Sequence, residues 1–230
     1  KYVVSPGKGV VNLTASNTGG LNATIINGGT TTSGQTSTVT LGNAISTANN
    51  TLDIEGVVDT LNITGGTGAD NILFTSGVDN VVKAGTFALG GGTDSVSFAA
   101  FDATGANPSA YNGLYINLGA TQTVTNGTAS ATVTAGQVKQ YNDAAATNTT
   151  KIDAAGSVFT LIDVEAVVAT ANADYIVANA SGSTITGGAK ADTIKLGAGA
   201  DTVVYGASAT DLVAYAGANK TTANIEKISG

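Results

Sequence analysis

The 230-residue chain has no cysteine, histidine, tryptophan, methionine or arginine. Each absence removes a class of chemistry. Without Cys or His there is no thiol nucleophile, no disulfide framework, no Ser-His-Asp triad and no ordinary zinc site. Nine Lys stand against sixteen Asp and Glu, for a net charge of −7. That balance, with no Arg, argues against nucleic-acid binding through phosphate contacts. No run of about eighteen uninterrupted apolar residues occurs, so no membrane insertion is expected. Residues 1–11 do not carry the apolar core and cleavage site of a signal peptide. What survives is oxygen chemistry: carboxylates, hydroxyls and backbone carbonyls, the ligands of a hard cation such as calcium.

An apolar fraction of 42% with 11% charged residues argues against disorder, which needs low hydrophobicity and high charge. Thr, Val, Ile and Asn dominate, and glycine recurs every few residues. Short alternations such as Val11-Asn12-Leu13-Thr14 and Tyr115-Ile116-Asn117-Leu118 replace any period of 3.6. At most one short helix fits, around Ala135 to Asn142. The remainder reads as an all-β chain of many short strands.

Those strands recur regularly. Steps of nine from Val158 reach Val167, Ile176, Ile185, Ile194, Val203 and Leu212, and steps of nine from Ile45 reach Ile54, Ile63, Ile72 and Val81. A fixed apolar period of this kind marks a solenoid. Two residues before each apolar position stands a carboxylate or hydroxyl: Glu165, Asp174, Ser183, Asp192, Asp201 and Thr210 in one phase, Asp70 and Asp79 in the other. The expected organisation is a Thr-rich β segment (1–44), a first repeat array (45–97), an irregular strand-rich excursion with a hairpin (98–157), and a second array with a C-terminal strand (158–230).

The turns are glycine-rich in a defined pattern. Gly65-Gly66-Thr67-Gly68-Ala69-Asp70-Asn71-Ile72-Leu73 matches the nonapeptide G-G-x-G-x-D-x-U-x throughout. Gly197, Gly199 and Asp201 keep it with Leu196 in first place, and Gly90, Gly92 and Asp94 with Leu89 there. Gly187, Gly188 and Asp192 keep it with Lys190 in place of the third Gly, and Gly77 and Asp79 form a weaker copy. Glycine permits positive φ and lets carbonyls approach an ion, while Asp supplies a carboxylate. Those glycines with Asp70, Asp79, Asp94, Asp174, Asp192 and Asp201 are the candidate metal ligands. Asp53, Asp59, Asp102, Asp143, Asp153 and Asp211 read as ordinary turn formers.

These motifs resemble the RTX repeats of proteins exported by Gram-negative type I secretion, over residues 45 to 230. Asp53-Ile54-Glu55-Gly56-Val57, Asp163-Val164-Glu165-Ala166-Val167 and Asn224-Ile225-Glu226-Lys227-Ile228 are similar to the strands that lead into such blocks. No block follows the third, which suggests that the natural protein continues. The resemblance implies a parallel β-solenoid, or β-roll, with same-side neighbours eighteen residues apart, so that Asp174 stacks over Asp192 and Ser183 over Asp201. Strands stack about 4.8 Å apart. Two bare carboxylates at that distance repel by about 3 to 4 kcal/mol at an effective dielectric near 20. Calcium between them reverses the sign, so calcium binding and folding are expected to be coupled.

Among proteins with such turns, toxins and hydrolases carry a catalytic or membrane-active part, and this chain has none that its residues disclose. Its acidic, Cys-free, Thr-, Ala-, Gly- and Asn-rich composition is similar to that of bacterial surface-layer proteins. The expectation is a structural, non-enzymatic, secreted cell-surface protein of a Gram-negative bacterium, self-associating into a calcium-supported lattice. Cell-surface glycan or lipopolysaccharide is its candidate partner. The alternative is the calcium-binding module of a secreted adhesin or polysaccharide-active enzyme.

Overall fold

A computed structural model describes residues 2–4, 22–27, 36–40, 50–56, 60–74, 84–101, 113–126, 129–142, 152, 158–204, 212–214 and 227–229. With strands numbered in chain order, one nine-stranded sheet runs β1 (Tyr2–Val4), β2 (Asn22–Asn27), β4 (Asn50–Gly56), β6 (Asp70–Phe74), β8 (Ser95–Ser97), β14 (Ala166–Val168), β16 (Thr184–Thr186), β18 (Thr202–Val204) and β20 (Lys227–Ser229). The second runs β19 (Leu212–Ala214), β17 (Thr193–Lys195), β15 (Tyr175–Val177), β9 (Gly113–Asn117), β12 (Gln137–Tyr141), β13 (Val158–Ile162), β7 (Ala84–Ala88), β5 (Thr60–Thr64) and β3 (Thr36–Thr40). A separate hairpin pairs β10 (Gln122–Asn126) with β11 (Ala129–Val133). The protein is all-β, its sheets are mostly parallel, and no helix occurs among the described residues. Antiparallel pairing is confined to the hairpin and to the two flanks of β12, apart from one isolated bridge between Tyr141 and Ile152.

From β3 to β8, and again from β13 to β20, successive strands belong to alternate sheets. The inward side chains of both sheets form one continuous core. In the three-residue strands β14 to β18 the middle residue faces the shared core. Val167, Ile185 and Val203 align at eighteen-residue steps in the first sheet; in the second, Ile176 aligns with Ile194 eighteen residues on and, on its other side, with Ile116 of β9. The nine-residue beat is therefore real from Val167 to Val203. It fails at both ends of the run read from the sequence. Strand β13 buries Phe159 and Leu161, so Val158 lies off the beat. In β19, Val213 rather than Leu212 falls opposite Ile194.

The first array follows a longer step. Leu52 aligns with Ile72 and Ile72 with Val96, and the corners of these rungs are 20 and 24 residues apart. Ile63 and Ile72 are both buried as the beat requires, and the next rung of the column meets Asp70 through Asp94. Gly77 and Asp79 lie outside the described residues, as do Ile45 and Val81. The stretch that admits a short helix, Ala135 to Asn142, instead holds β12. A turn at Ala135 and Gly136 (φ +74°) enters a strand that buries Val138 and Gln140, a period of two held by antiparallel neighbours on both flanks.

Strands β8 and β14 are neighbours in the first sheet, whereas β13, β12 and β9 separate β7 from β15 in the second. The second sheet therefore spans more width at this junction, and the core must fill more space. All five phenylalanines of the chain, Phe74, Phe87, Phe98, Phe101 and Phe159, meet there, and Phe74 lies within 5.3–6.3 Å (ring centroids) of the other four. Strand β9 is buried on both faces. Leu114 and Ile116 enter the main core, while Tyr115 joins Tyr141, Ile152, Val133 and Val177 in a smaller cluster beside the hairpin. Buried Asn117 ties the hairpin down: its Nδ2 donates to the carbonyls of Ala120, Val133 and Thr134, and its Oδ1 accepts from Gly119 N–H.

Phe74→Ala, at the hub of the ring cluster, is expected to destabilise the protein by about 3–5 kcal/mol. Asn117→Ala leaves buried carbonyls unpaired and is expected to cost about 2–3 kcal/mol. Both are read as shifts of the urea midpoint with unchanged slope.

Candidate functional site: the corner carboxylates

Buried carboxylates are rare unless compensated, yet Asp70, Asp94, Asp174, Asp192 and Asp201 are each no more than 1% exposed. Their positions follow from the chain path. Each stands at the last residue of a corner or the first of the strand it feeds. Asn50, Asp70, Asp94, Glu165, Ser183 and Asp201 form one column, where the chain passes from the second sheet to the first. Asp174 and Asp192 occupy the opposite seam.

Along these columns the carboxylates of Asp94, Glu165, Asp201, Asp174 and Asp192 each accept a backbone amide of the preceding rung. Asp70 N–H donates to Asp94 Oδ1 at 2.7 Å, Asp94 N–H to Glu165 Oε2 at 2.8 Å, and Ser183 N–H to Asp201 Oδ1 at 2.7 Å. On the other seam Asp174 N–H donates to Asp192 Oδ1 at 2.8 Å, and Leu114 N–H to Asp174 Oδ1. Asn50 begins the column by donating its Nδ2 to Asp70 Oδ1 at 2.6 Å. At Asp70, Asp174 and Asp201 a second bond closes the corner on itself, because the amide four residues back reaches the same side chain. Gly66 N–H binds Asp70 Oδ2 at 3.3 Å, Thr170 N–H binds Asp174 Oδ2 at 2.8 Å, and Gly197 N–H binds Asp201 Oδ2 at 2.9 Å. Ser183 does the same work with a hydroxyl, its Oγ accepting Asn179 N–H at 3.0 Å.

The carboxylates thus do not confront one another as bare charges. Asp174 does lie over Asp192 and Ser183 over Asp201, but each pair is joined by an amide-to-carboxylate bond, which favours the charged form. Burial is the larger effect. It pushes Asp174 up to about 7, against the opposing pull of the Leu114 and Thr170 hydrogen bonds, and Asp94 up to about 6, with Asp70, Glu165 and Asp163 adding like charge. Asp70 and Asp201 are raised for the same reason.

The glycines serve close stacking. Gly91 N–H donates to Gly66 O at 2.9 Å, and a Cβ on Gly90 (φ +92°) would collide with that carbonyl. Glycines 65, 66 and 68 pack under 90 and 92, and a Cβ on Gly188, Gly197 or Gly199 would strike the backbone of the adjoining corner. Gly187 N–H reaches Val204 O. Lys190 adopts the left-handed backbone (φ +65°) of the glycine it replaces, and its Nζ turns outward to Asn172 Oδ1 at 2.8 Å.

For calcium the donor chemistry is right, since every group here is a hard oxygen. At Asp70, Asp174 and Asp201, however, both carboxylate oxygens already accept hydrogen bonds. Among the described residues no group of three or more Asp, Glu, His or Cys is placed to hold a metal. The best fit is at Asp94, whose Oδ2 is buried and accepts no hydrogen bond. Glu165, read from the sequence as part of a leading strand, proves to be a member of the same column; its shared phase with Asp174 and Asp201 was the available signal. Comparison of the sequence with protein-family models and with characterised proteins gives no match.

A carboxyl raised above its unfolded value of 3.8 contributes stability at low pH that is lost as pH rises through the folded value. In chelator, the melting temperature is expected to fall between about pH 5 and pH 8, through the ranges of Asp94 and Asp174. Asp174→Asn is expected to flatten the upper part of that decline. A melting temperature that climbs over this interval contradicts the assignment.

Proposed function

We propose that this chain is a structural, non-enzymatic repeat protein: a β-solenoid of the RTX β-roll type serving as a self-assembling bacterial surface layer, or as a domain of one. The observation that carries the reading is the pair of carboxylate columns. They let an acidic chain bury five Asp residues at its corners, and no nucleophile–base arrangement occurs among the described residues, a design suited to a scaffold. Alternation of strands between two sheets, with eighteen-residue stacking in the second array, supports the solenoid. Among the described residues the sheets end at β1, β3, β19 and β20, and strand edges of this kind invite heterologous contacts that propagate an array.

Calcium enters this reading at the Asp94 corner. The Asp94 carboxylate and neighbouring backbone carbonyls would hold it, and the ion would neutralise buried negative charge. Asp174 and Asp201 need no ion in this scheme, because both oxygens of each already accept amides. Secretion to the surface of a Gram-negative cell, and anchorage to glycan or lipopolysaccharide there, belong to the same proposal.

The test is negative-stain microscopy of the purified chain with calcium chloride and with chelator. Ordered sheets or tubes that form with calcium and dissolve with chelator are the expected result. A folded monomer under both conditions overturns the lattice reading and favours a module of an adhesin or polysaccharide-active enzyme.

A further inference from the structure

The chain offers an oxidant few targets. It has no Cys, Met, Trp or His, so its seven tyrosines are its most easily oxidised side chains. Without Cys, no disulfide can fasten one rung to another. Three of the seven tyrosines meet. Tyr115 on β9, Tyr141 on β12 and Tyr175 on β15 have ring centroids 4.6–6.2 Å apart, in the cluster beside the hairpin. All five phenylalanines, by contrast, pack in the main core.

Strand register pairs two of these rings. β9 and β15 are parallel neighbours, and Tyr115 is the direct partner of Tyr175, 60 residues on. Parallel partners stand about 4.8 Å apart. The rings keep nearly the same spacing, with centroids 4.6 Å apart and planes 6° from parallel. The two side chains therefore run alongside each other from backbone to ring, and the carbons ortho to one hydroxyl lie beside their counterparts. Tyr141 instead meets both rings edge-on, at 72° and 66°. Tyr115 is 1% exposed whereas Tyr175 is half-buried, so an oxidant at the surface reaches the stack through Tyr175. Burial pushes both phenols above their usual range, so each gives up its electron together with its proton.

We propose that Tyr115 and Tyr175 form an oxidative cross-linking site, closed to a dityrosine bridge by two equivalents of a one-electron oxidant. Each phenol loses one electron and one proton, giving two phenoxyl radicals. These couple through one ortho carbon of each ring, forming a carbon–carbon bond. The hydrogen on each joined carbon then moves to the phenolic oxygen, which restores both rings. The product has two hydrogen atoms fewer than the starting pair, and the oxidant takes up both electrons. The stack supplies the proximity that coupling of short-lived radicals demands. The bridge would tie the inserted β9 to β15 of the second array, fastening the junction without cysteine. It depends neither on calcium nor on lattice assembly.

Photo-oxidation of the dilute full chain with ruthenium tris-bipyridyl and persulfate, then cleavage after lysine and mass spectrometry, tests this. Lys83, Lys139, Lys151 and Lys190 place Tyr115, Tyr141 and Tyr175 on peptides 84–139, 140–151 and 152–190. The expected product is a monomeric chain with dityrosine fluorescence, in which 84–139 is joined to 152–190 with two hydrogens missing. Tyr115→Phe and Tyr175→Phe keep the ring packing and are each expected to cut that product by about tenfold or more, as is oxidation in urea. Tyr111→Phe, on the same peptide as Tyr115, should leave it unchanged. No link in wild type, 140–151 as the main partner, a link that survives Tyr115→Phe, or an equal yield in urea overturns the site. The linked chain should also melt higher than the unlinked one, and an unchanged melting temperature overturns its fastening role.

Discussion

A corner carboxylate that accepts one amide from its own turn and one from the neighbouring rung is the interaction on which the rest of this structure depends. Three-residue strands place one side chain each in the main core in the array of 166–204, too little apolar area to set the register of a parallel sheet unaided. The Asp side chain does so at the strand's entry, where Asp192 takes the amide of Asp174, and Asp201 that of Ser183. It also supplies acceptors for corner amides that would otherwise be buried without partners. Loss of one such acceptor would therefore disturb two rungs together.

The same interaction explains the glycine framework without a metal. Corners can stack at strand spacing only if no Cβ stands between them, and the positive φ of Gly90 and Gly188 leaves the close approach open. Where the four-back residue keeps an ordinary φ, as at Gly66, Thr170 and Gly197, its amide reaches the carboxylate. At Gly90 the left-handed backbone turns the amide elsewhere, and Asp94 keeps an open oxygen. Ion capacity in this chain is thus set by backbone conformation at the corner glycine as much as by the presence of Asp. That is why the proposed role of calcium excludes the corners of Asp70, Asp174 and Asp201.

The junction is also where the aromatic rings collect. Inserting β9 and β12 into one sheet widens the core, gathers every phenylalanine of the chain, and sets Tyr115 of β9 against Tyr175 of β15. A perfectly periodic chain would have neither the aromatic core nor this pair. The hairpin held by Asn117 covers the outer side of the inserted strands, so the excursion is integrated into the sheets.

The sequence by itself determined the all-β class, the beat from Val167 to Val203, and the Asp positions of the second array. These are local or strictly periodic properties: a residue's place in a nine-residue step decides whether it faces core, corner or solvent. It could not disclose that Asp70 answers to Asp94, that Glu165 continues the Asp94 column across 71 residues, or that 137–141 is a strand rather than a helix. Those depend on which strands become neighbours, and corners of unequal length erase the period that would reveal it. Tertiary structure alone decided whether a carboxylate meets an amide or stands open, because that turns on the φ of a glycine and on the strand packed beside it.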